Sequence, residues 1–548
     1  MPRLWERSYP EPVRWDAPLP ISTLTAELDA SIERYPTVSF LEIAGISIDY
    51  RTFGVLVERA ALGFRALGVG PGVHVALHLP NTPHYVIAFY AVFRAGGVIT
   101  NLSPIDAERE IGHKIDVAEA TIAVSFGELA AKLPRNKPGL RIVICTATDL
   151  IPGAAVPALP ADPAEPVPFG ALLDPARTRV EPWPVLRPED LALLQFTGGT
   201  TGVPKAAMLT HANLTAAVSI YDAWAVTPAA QMIDGDERII IVLPLFHIFA
   251  LGTIMLRAVR HGHTLILKPR FDALDVLDTI DRAKPSTFSG VPTMYRAMVM
   301  HPRAQTVDFS SLRYCASGGA PLPSELKDAW RKLTGLELLE GWGMTESSPA
   351  GTANLPDTGK IASAGVPLPG IEFEIRDLDD PHKRMPTGQR GEMCIKGPNI
   401  FQGYYKQPQA TAESFVDGFF RTGDIGYFDE DGFLFIVDRK KDMILSSGFN
   451  VYPRNIEEAV YEHPGVEEVI VVGIPDSYRG ESAKAFIKLR PGAAPFTIEE
   501  LRGFLDDKLA RYELPSAVEF RDALPKTAVG KLWKKPLVDE ERAKVGLK

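Results

Sequence analysis

The stretch Leu191-Ala192-Leu193-Leu194-Gln195-Phe196-Thr197-Gly198-Gly199-Thr200-Thr201-Gly202-Val203-Pro204-Lys205 begins as a short apolar strand and ends as a loop of glycines, threonines and one lysine. Glycines let the backbone approach an anion closely and aim successive N–H groups at it. The hydroxyls of Thr197, Thr200 and Thr201 add donors, and Lys205 adds a cation. Together they suit a polyphosphate. The loop is not of the Walker A type, in which the lysine directly follows a glycine and precedes Ser or Thr. Here Lys205 stands three residues after Gly202 and is followed by Ala206.

Outward from this loop, strand and helix patterns alternate. Residues 53–67 have helical periodicity, 68–72 form a Gly/Pro turn, 73–79 read as a strand and 83–94 as a helix. This alternation predicts an α/β fold with parallel sheets and crossover helices. Residues 151–190 hold ten prolines and read as an irregular surface connection. The character changes after Asp424. A strand at 432–437 leads into the charged turn Asp438-Arg439-Lys440-Lys441-Asp442. A compact unit follows, with helices at 455–463 and 498–509 and strands at 469–473 and 483–489. The predicted boundary lies at the charged turn and divides the chain into 1–439 and 440–548.

At 548 residues the chain exceeds what one core usually organises. Its 46% hydrophobic and 23% charged residues are ordinary for a soluble globular enzyme. A net charge of −10 gives no electrostatic reason to seek nucleic acid. The scattered cysteines Cys145, Cys315 and Cys394 form neither a disulfide framework nor a zinc spacing, and none has an activating context. They fit a reducing, cytoplasmic setting. The N-terminus carries no basic-then-apolar signal sequence. Residues 239–256 lack formal charge, but Pro244, His247, Gly252 and Thr253 interrupt them. The segment reads as a buried strand, a turn and the start of a buried helix, with no transmembrane span.

Further motifs follow in order: Leu243-Pro244-Leu245-Phe246-His247, Ala316-Ser317-Gly318-Gly319-Ala320-Pro321-Leu322, Glu340-Gly341-Trp342-Gly343-Met344-Thr345-Glu346, Arg421-Thr422-Gly423-Asp424, Val437-Asp438-Arg439 and Leu524-Pro525-Lys526-Thr527-Ala528-Val529-Gly530-Lys531. With the Thr/Gly loop, they resemble the adenylate-forming superfamily over nearly the whole chain. That superfamily comprises acyl- and aryl-CoA ligases, firefly-type luciferases and the amino-acid-activating domains of peptide synthetases. The resemblance implies a large N-terminal domain of stacked αβ sheets with a small β-barrel-like subdomain. A small, mobile α+β C-terminal domain completes it.

The resemblance also assigns roles. The phosphate loop, residues Thr197, Gly198, Gly199, Thr200, Thr201, Gly202 and Lys205, would hold ATP. Gly318, Gly319, Ala320, Glu340, Gly341, Trp342 and Gly343 would surround the adenine, with Trp342 covering one face. Thr345 would donate to the α-phosphate and Glu346 would hold Mg²⁺. Asp424 and Arg439 would clamp the ribose, since a carboxylate accepts from both sugar hydroxyls. His247, Val291, Gly318 and Gly343 would line the acyl pocket. Amino-acid activators typically carry Asp at the His247 position, so this histidine argues against an amino-acid substrate. Lys531 would reach the substrate carboxylate and the bridging region of ATP. Lys441 matches the hinge of the CoA-ligase branch, and Gly448 and Phe449 would meet coenzyme A after rotation.

The implied reaction joins a carboxylic acid to AMP, releasing pyrophosphate, and then passes the acyl group to the thiol of coenzyme A. The string Asp438-Arg439-Lys440-Lys441-Asp442-Met443-Ile444-Leu445 looks like that of fatty-acyl ligases and moves the expected acid toward aliphatic chains; a dicarboxylic acid stays open. Alternatives are an acyl-AMP ligase that loads a carrier protein, an aryl-CoA ligase, a luciferase-like oxygenase and a binding protein without catalysis. The resemblance leaves room for a homodimer.

Overall fold

The computed structural model describes residues 3–135, 137–151, 153, 155–197, 204–227, 230–320, 322–354, 359–360, 362–447, 449–476, 478–527 and 530–544. Gly198, Gly199, Thr200, Thr201 and Gly202 of the phosphate loop lie outside these residues, as does Gly448.

Two largely parallel sheets carry most of the chain. In the seven-stranded one, Val167–Pro168, Arg141–Cys145, Ile122–Phe126, His74–His78, Val98–Asn101, Leu191–Phe196 and Ala206–Thr210 lie side by side. Only the last pair is antiparallel, with Phe196 opposite Ala206. In the nine-stranded sheet the parallel centre is Leu338–Trp342, Tyr314–Ser317, Thr287–Gly290, Arg238–Ile241 and Thr264–Leu267. Helix Pro83–Arg94 has proline at its first turn and buries every residue from Pro83 to Phe93. Such all-round burial explains its almost uninterrupted apolar sequence.

Residues 239–256 fold as the sequence implies. Strand Arg238–Ile241 leads through a turn into Phe249–Leu256, a helix of the wider π type. Such helical widening is frequent at functional sites. No helix among the described residues is long and apolar enough to cross a membrane.

The Pro-rich connection departs from the expectation. Val167–Pro168 forms an edge strand and Phe169–Leu172 a buried helical turn. An edge strand tolerates proline because one row of its backbone groups has no neighbour. Helix Tyr50–Ala66 meets this turn so closely that a Cβ on Gly63 would lie 2.6 Å from the Cα of Leu172.

A third, antiparallel sheet joins Glu372–Arg376, Gly391–Lys396, Phe415–Val416, Phe419–Phe428 and Leu434–Arg439. A fourth joins Ile444–Ser446, Phe449–Val451, Val466–Asp476, Gly480–Leu489 and Ala517–Phe520. It has its own apolar core, including Ile456, Val469, Ile487 and Leu501. The fold is thus mixed α/β, with a large N-terminal domain of sheets and a small C-terminal domain. The three cysteines are buried and free. Burial pushes the Cys315 and Cys394 thiols up to about 12, which leaves them chemically quiet.

Candidate active site

The carboxyl ends of strands from both large sheets open onto one cavity of about 1820 Å³. Ligands in open α/β folds bind at such strand ends. Thr197, Lys205, His247, Gly318, Gly319, Ala320, the segment 340–346, Asp424, Arg439, Lys441 and Lys531 all line it. Residues distant in sequence therefore share one space. The base of the phosphate loop is closed by Thr197 N–H donating to the Lys205 carbonyl at 2.9 Å.

Lys531 enters from the C-terminal segment. The Gly530 carbonyl accepts a hydrogen bond from the Thr293 hydroxyl at 2.9 Å, docking the turn on the first turn of helix Pro292–Met300. Gly530 has φ +81°, a left-handed conformation that favours glycine. The lysine then crosses Gly319 so closely that a Cβ there would lie 2.3 Å from its Cε. Burial, followed by the neighbouring Arg439 charge, lowers the Lys531 ammonium to about 8 against the pull of Asp424.

His247 stands beside it. Burial first, and Lys531 second, hold its imidazole down to about 3. Its Nδ1 accepts from Phe249 N–H at 3.2 Å. The ring is therefore neutral with its proton on Nε2, a donor suited to a carboxylate oxygen.

Asp424 and Arg439 are opposite residues on paired strands. Their side chains approach to 3.3 Å, and Asp424 also accepts from the Trp342 indole N–H at 2.8 Å. Each carboxylate oxygen thus has one protein partner, Oδ1 with Arg439 and Oδ2 with Trp342, and each keeps a further acceptor position; the pair faces the cavity.

Glu346 is 5% exposed. Burial raises its pKa, opposed by hydrogen bonds that include one from the Tyr404 hydroxyl at 2.9 Å. The Lys205 ammonium lies 4.8 Å above the Tyr404 ring. Tyr404 thus joins the lysine to the carboxylate by a cation–π contact on its face and a hydrogen bond at its tip. Sequence reading missed Tyr404, because nothing in Gln402-Gly403-Tyr404-Tyr405 signals a partner 58 residues away.

Burial also raises Glu340, to about 6, and this carboxylate accepts from Leu322 N–H at 3.4 Å. Gly341 and Gly343 are imposed by packing. A Cβ on Gly343 would stand 1.5 Å from the Pro349 carbonyl oxygen, and one on Gly341 would stand 2.9 Å from that of Thr352. Two expected residues sit elsewhere. Val291 is 1% exposed and lies behind the docked turn, 3.6 Å from a Cβ placed on Gly530, so it does not line the cavity. Ser289, on the strand Thr287–Gly290, does line it, whereas Val291 follows the strand's end at the cap of helix Pro292–Met300. Phe449 is exposed and stacks on Tyr512 with ring centroids 4.6 Å apart, away from the cavity.

Known proteins resemble this chain in sequence and fold. The family model described as AMP-binding enzyme covers residues 28–405, and that described as AMP-binding enzyme C-terminal domain covers 455–531. A long-chain-fatty-acid–CoA ligase of Bacillus subtilis is 37% identical over 98% of this chain and 98% of its own. ATP-bound MatB from Rhodopseudomonas palustris superposes with TM-score 0.83 at 29% identity, covering 95% of this chain and 99% of its own. The anthranilate CoA ligase AuaEII, in complex with anthranoyl-AMP, gives TM-score 0.85 at 25% identity over 97% of this chain and 99% of its own.

Proposed function

The chain belongs to the AMP-binding enzyme family and is an acyl-CoA synthetase of the AMP-forming kind; from that premise we propose which residues do the work and on what acid. The observation that carries the proposal is the meeting of Lys531, His247 and the Asp424–Arg439 pair in one cavity, with Lys531 admitted across Gly319.

In the first half-reaction the acid's carboxylate attacks the α-phosphorus of ATP and pyrophosphate leaves. Both reactants are anions, so the protein's task is to align them and neutralise developing charge. Asp424 and Arg439 hold the ribose, and Trp342 fixes Asp424 while bordering the adenine. His247 donates through Nε2 to the acid. Lys531 spans the acid and the α-phosphate, Thr345 donates to that phosphate, and Lys205 with the phosphate loop holds the leaving group. Glu346 fits a divalent cation: it is a buried carboxylate with one oxygen bound by Tyr404. The described residues contain no cluster of three or more His, Cys, Asp or Glu able to hold a metal. Mg²⁺ would therefore rest on Glu346 and substrate phosphates, its usual mode, and would neutralise phosphate charge.

In the second half-reaction the thiol of coenzyme A attacks the acyl carbonyl and AMP leaves. We assign 1–439 and 440–548 as units that rotate about Lys441, withdrawing Lys531 and bringing Phe449 and Gly448 to the site. The exposed Phe449 supports this reading, since in the present arrangement it lies outside the cavity, stacked on Tyr512. We place the enzyme in the cytoplasm and its acid among aliphatic acids. The hinge string and the resemblance to a fatty-acid ligase support that class. An aryl acid is the second reading, favoured by the likeness to the anthranilate ligase.

The test is incubation of the purified chain with ATP, Mg²⁺, coenzyme A and a panel of aliphatic and aryl acids, with products read by mass. Acyl-CoA and AMP from aliphatic acids support the assignment. Acyl-CoA from aryl acids alone replaces the substrate class. Acyl-AMP without acyl-CoA points instead to loading of a carrier protein.

A further inference from the structure

The cavity reaches well below the nucleotide end. Thr287 and Ser289 on one strand, and Tyr314 and Ala316 on the next, face it in alternation, with Thr287 paired to Tyr314. From Gly318 at the top to Tyr314 at the floor are four residues, about 13 Å at strand rise. On the opposite wall, Phe249, Thr253 and Arg257 descend one turn apart along the helix that follows His247. The wall between is apolar, with Ile254 and Met232.

The floor is polar. Arg257, Tyr221 and Tyr314 meet there, all lining the cavity. The Arg257 side chain is 15% exposed and uses only its Nε, at 3.0 Å from Asp222. Among the described residues its two terminal nitrogens have no hydrogen-bond partner, nor do the hydroxyls of Tyr221 and Tyr314. None of these atoms is sealed from the cavity. Both phenols feel the Arg257 charge, which works against their desolvation. Asp222 does not neutralise Arg257 alone, because it also binds Arg260 at 3.1 Å and His261 at 2.9 Å. Its role is to brace the guanidinium with the fork turned inward. A purely hydrocarbon tail would leave four polar groups desolvated and unpaired at this floor, an expensive arrangement.

We propose that this floor is a receptor for a second anionic group, so that the preferred acid carries a carboxylate at its far end, held by the terminal nitrogens of Arg257 and the hydroxyls of Tyr221 and Tyr314. The assignment rests on the acyl-CoA synthetase reading and names the substrate class for its cavity. Fork-to-carboxylate pairing supplies geometric as well as electrostatic selectivity. The depth suits a straight diacid of medium length, with one carboxylate activated at Lys531 and the other at Arg257.

The experiment compares kcat/KM for acyl-CoA formation across straight-chain monoacids, α,ω-diacids and ω-hydroxy acids of matched length. The expected result is a diacid optimum at one length, at least tenfold above the matched monoacid and the matched ω-hydroxy acid. Arg257→Met lowers the diacid-to-monoacid ratio at least tenfold, with the monoacid gaining, and Arg257→Lys, which keeps the charge without the fork, falls between. The Tyr221→Phe/Tyr314→Phe double variant lowers the same ratio by a smaller factor. A monoacid preferred at every length, an ω-hydroxy acid equal to the diacid, or a ratio unmoved by Arg257→Met overturns the proposal and leaves the enzyme an acyl-CoA synthetase. No turnover with any acid overturns both readings.

Discussion

Lys531 passes over Gly319 at a distance that excludes a side chain there, with its Nζ 2.5 Å from where a Cβ would be. Gly319 also has φ +76°, so alanine is strained as well as obstructive. Gly319→Ala should reproduce Lys531→Ala. Pyrophosphate exchange should fall roughly a hundredfold in both, the scale of losing one charge-stabilising group. Thioester formation from supplied acyl-AMP should stay within about twofold, because the proposed rotation withdraws the lysine before that step. An equal fall in both half-reactions would sink the division of labour.

The Lys531 ammonium, lowered to about 8, gives adenylation an alkaline limit. The useful form is the cation. A lowered pKa means the proton leaves earlier as pH rises, so kcat/KM for the acid should decline through about pH 8. Lys531→Arg removes this titration, since guanidinium stays charged. Its residual activity should hold flat past pH 9. A wild-type profile flat to pH 10 would contradict the assignment.

Trp342 holds one oxygen of Asp424 through its indole N–H at 2.8 Å. Trp342→Phe keeps a flat ring and removes that bond. The KM for ATP should rise roughly ten- to a hundredfold, the worth of one hydrogen bond to a charged group, with little change in kcat. A KM unmoved within error would mean that Asp424 needs no bracing.

Gly343 has no room for any side chain, since a Cβ would overlap the Pro349 carbonyl at 1.5 Å. Gly343→Ala must displace the backbone at the cavity wall. A loss of about 3 kcal/mol or more is expected, visible as a lowered thermal midpoint or as insoluble protein. Wild-type stability would show that this turn yields more easily than its packing implies.

Local patterns announced much of this molecule. The helix at 83–94 was legible because proline starts it and Gly96-Gly97 follows it. The motif residues were legible because each lies in a string of distinctive chemistry. Tyr404 and Arg257 were not. Each acts through a partner on another element, Glu346 for the tyrosine and Asp222 for the arginine, and neither sits in a string that names it. Val167–Leu172 was hidden by its prolines, whose cost depends on whether a strand is central or at an edge. Val291 was misplaced because the strand ends at Gly290 and the chain turns there into helix Pro292–Met300, a boundary that Ser289-Gly290-Val291 does not reveal by composition.

The bond between Trp342 and Asp424 has an optical consequence. The chain has seven tryptophans, and among them Trp5, Trp224 and Trp330 are buried in the core. Trp342 instead borders the cavity with its N–H on the carboxylate proposed to take the sugar. Nucleotide entry would change both the polarity around that indole and the charge its N–H faces. Its emission should therefore shift on ATP binding, and Trp342→Phe should remove that part of the shift, leaving only what Trp533, also at the cavity, contributes; occupancy of the site is thus readable in unlabelled protein.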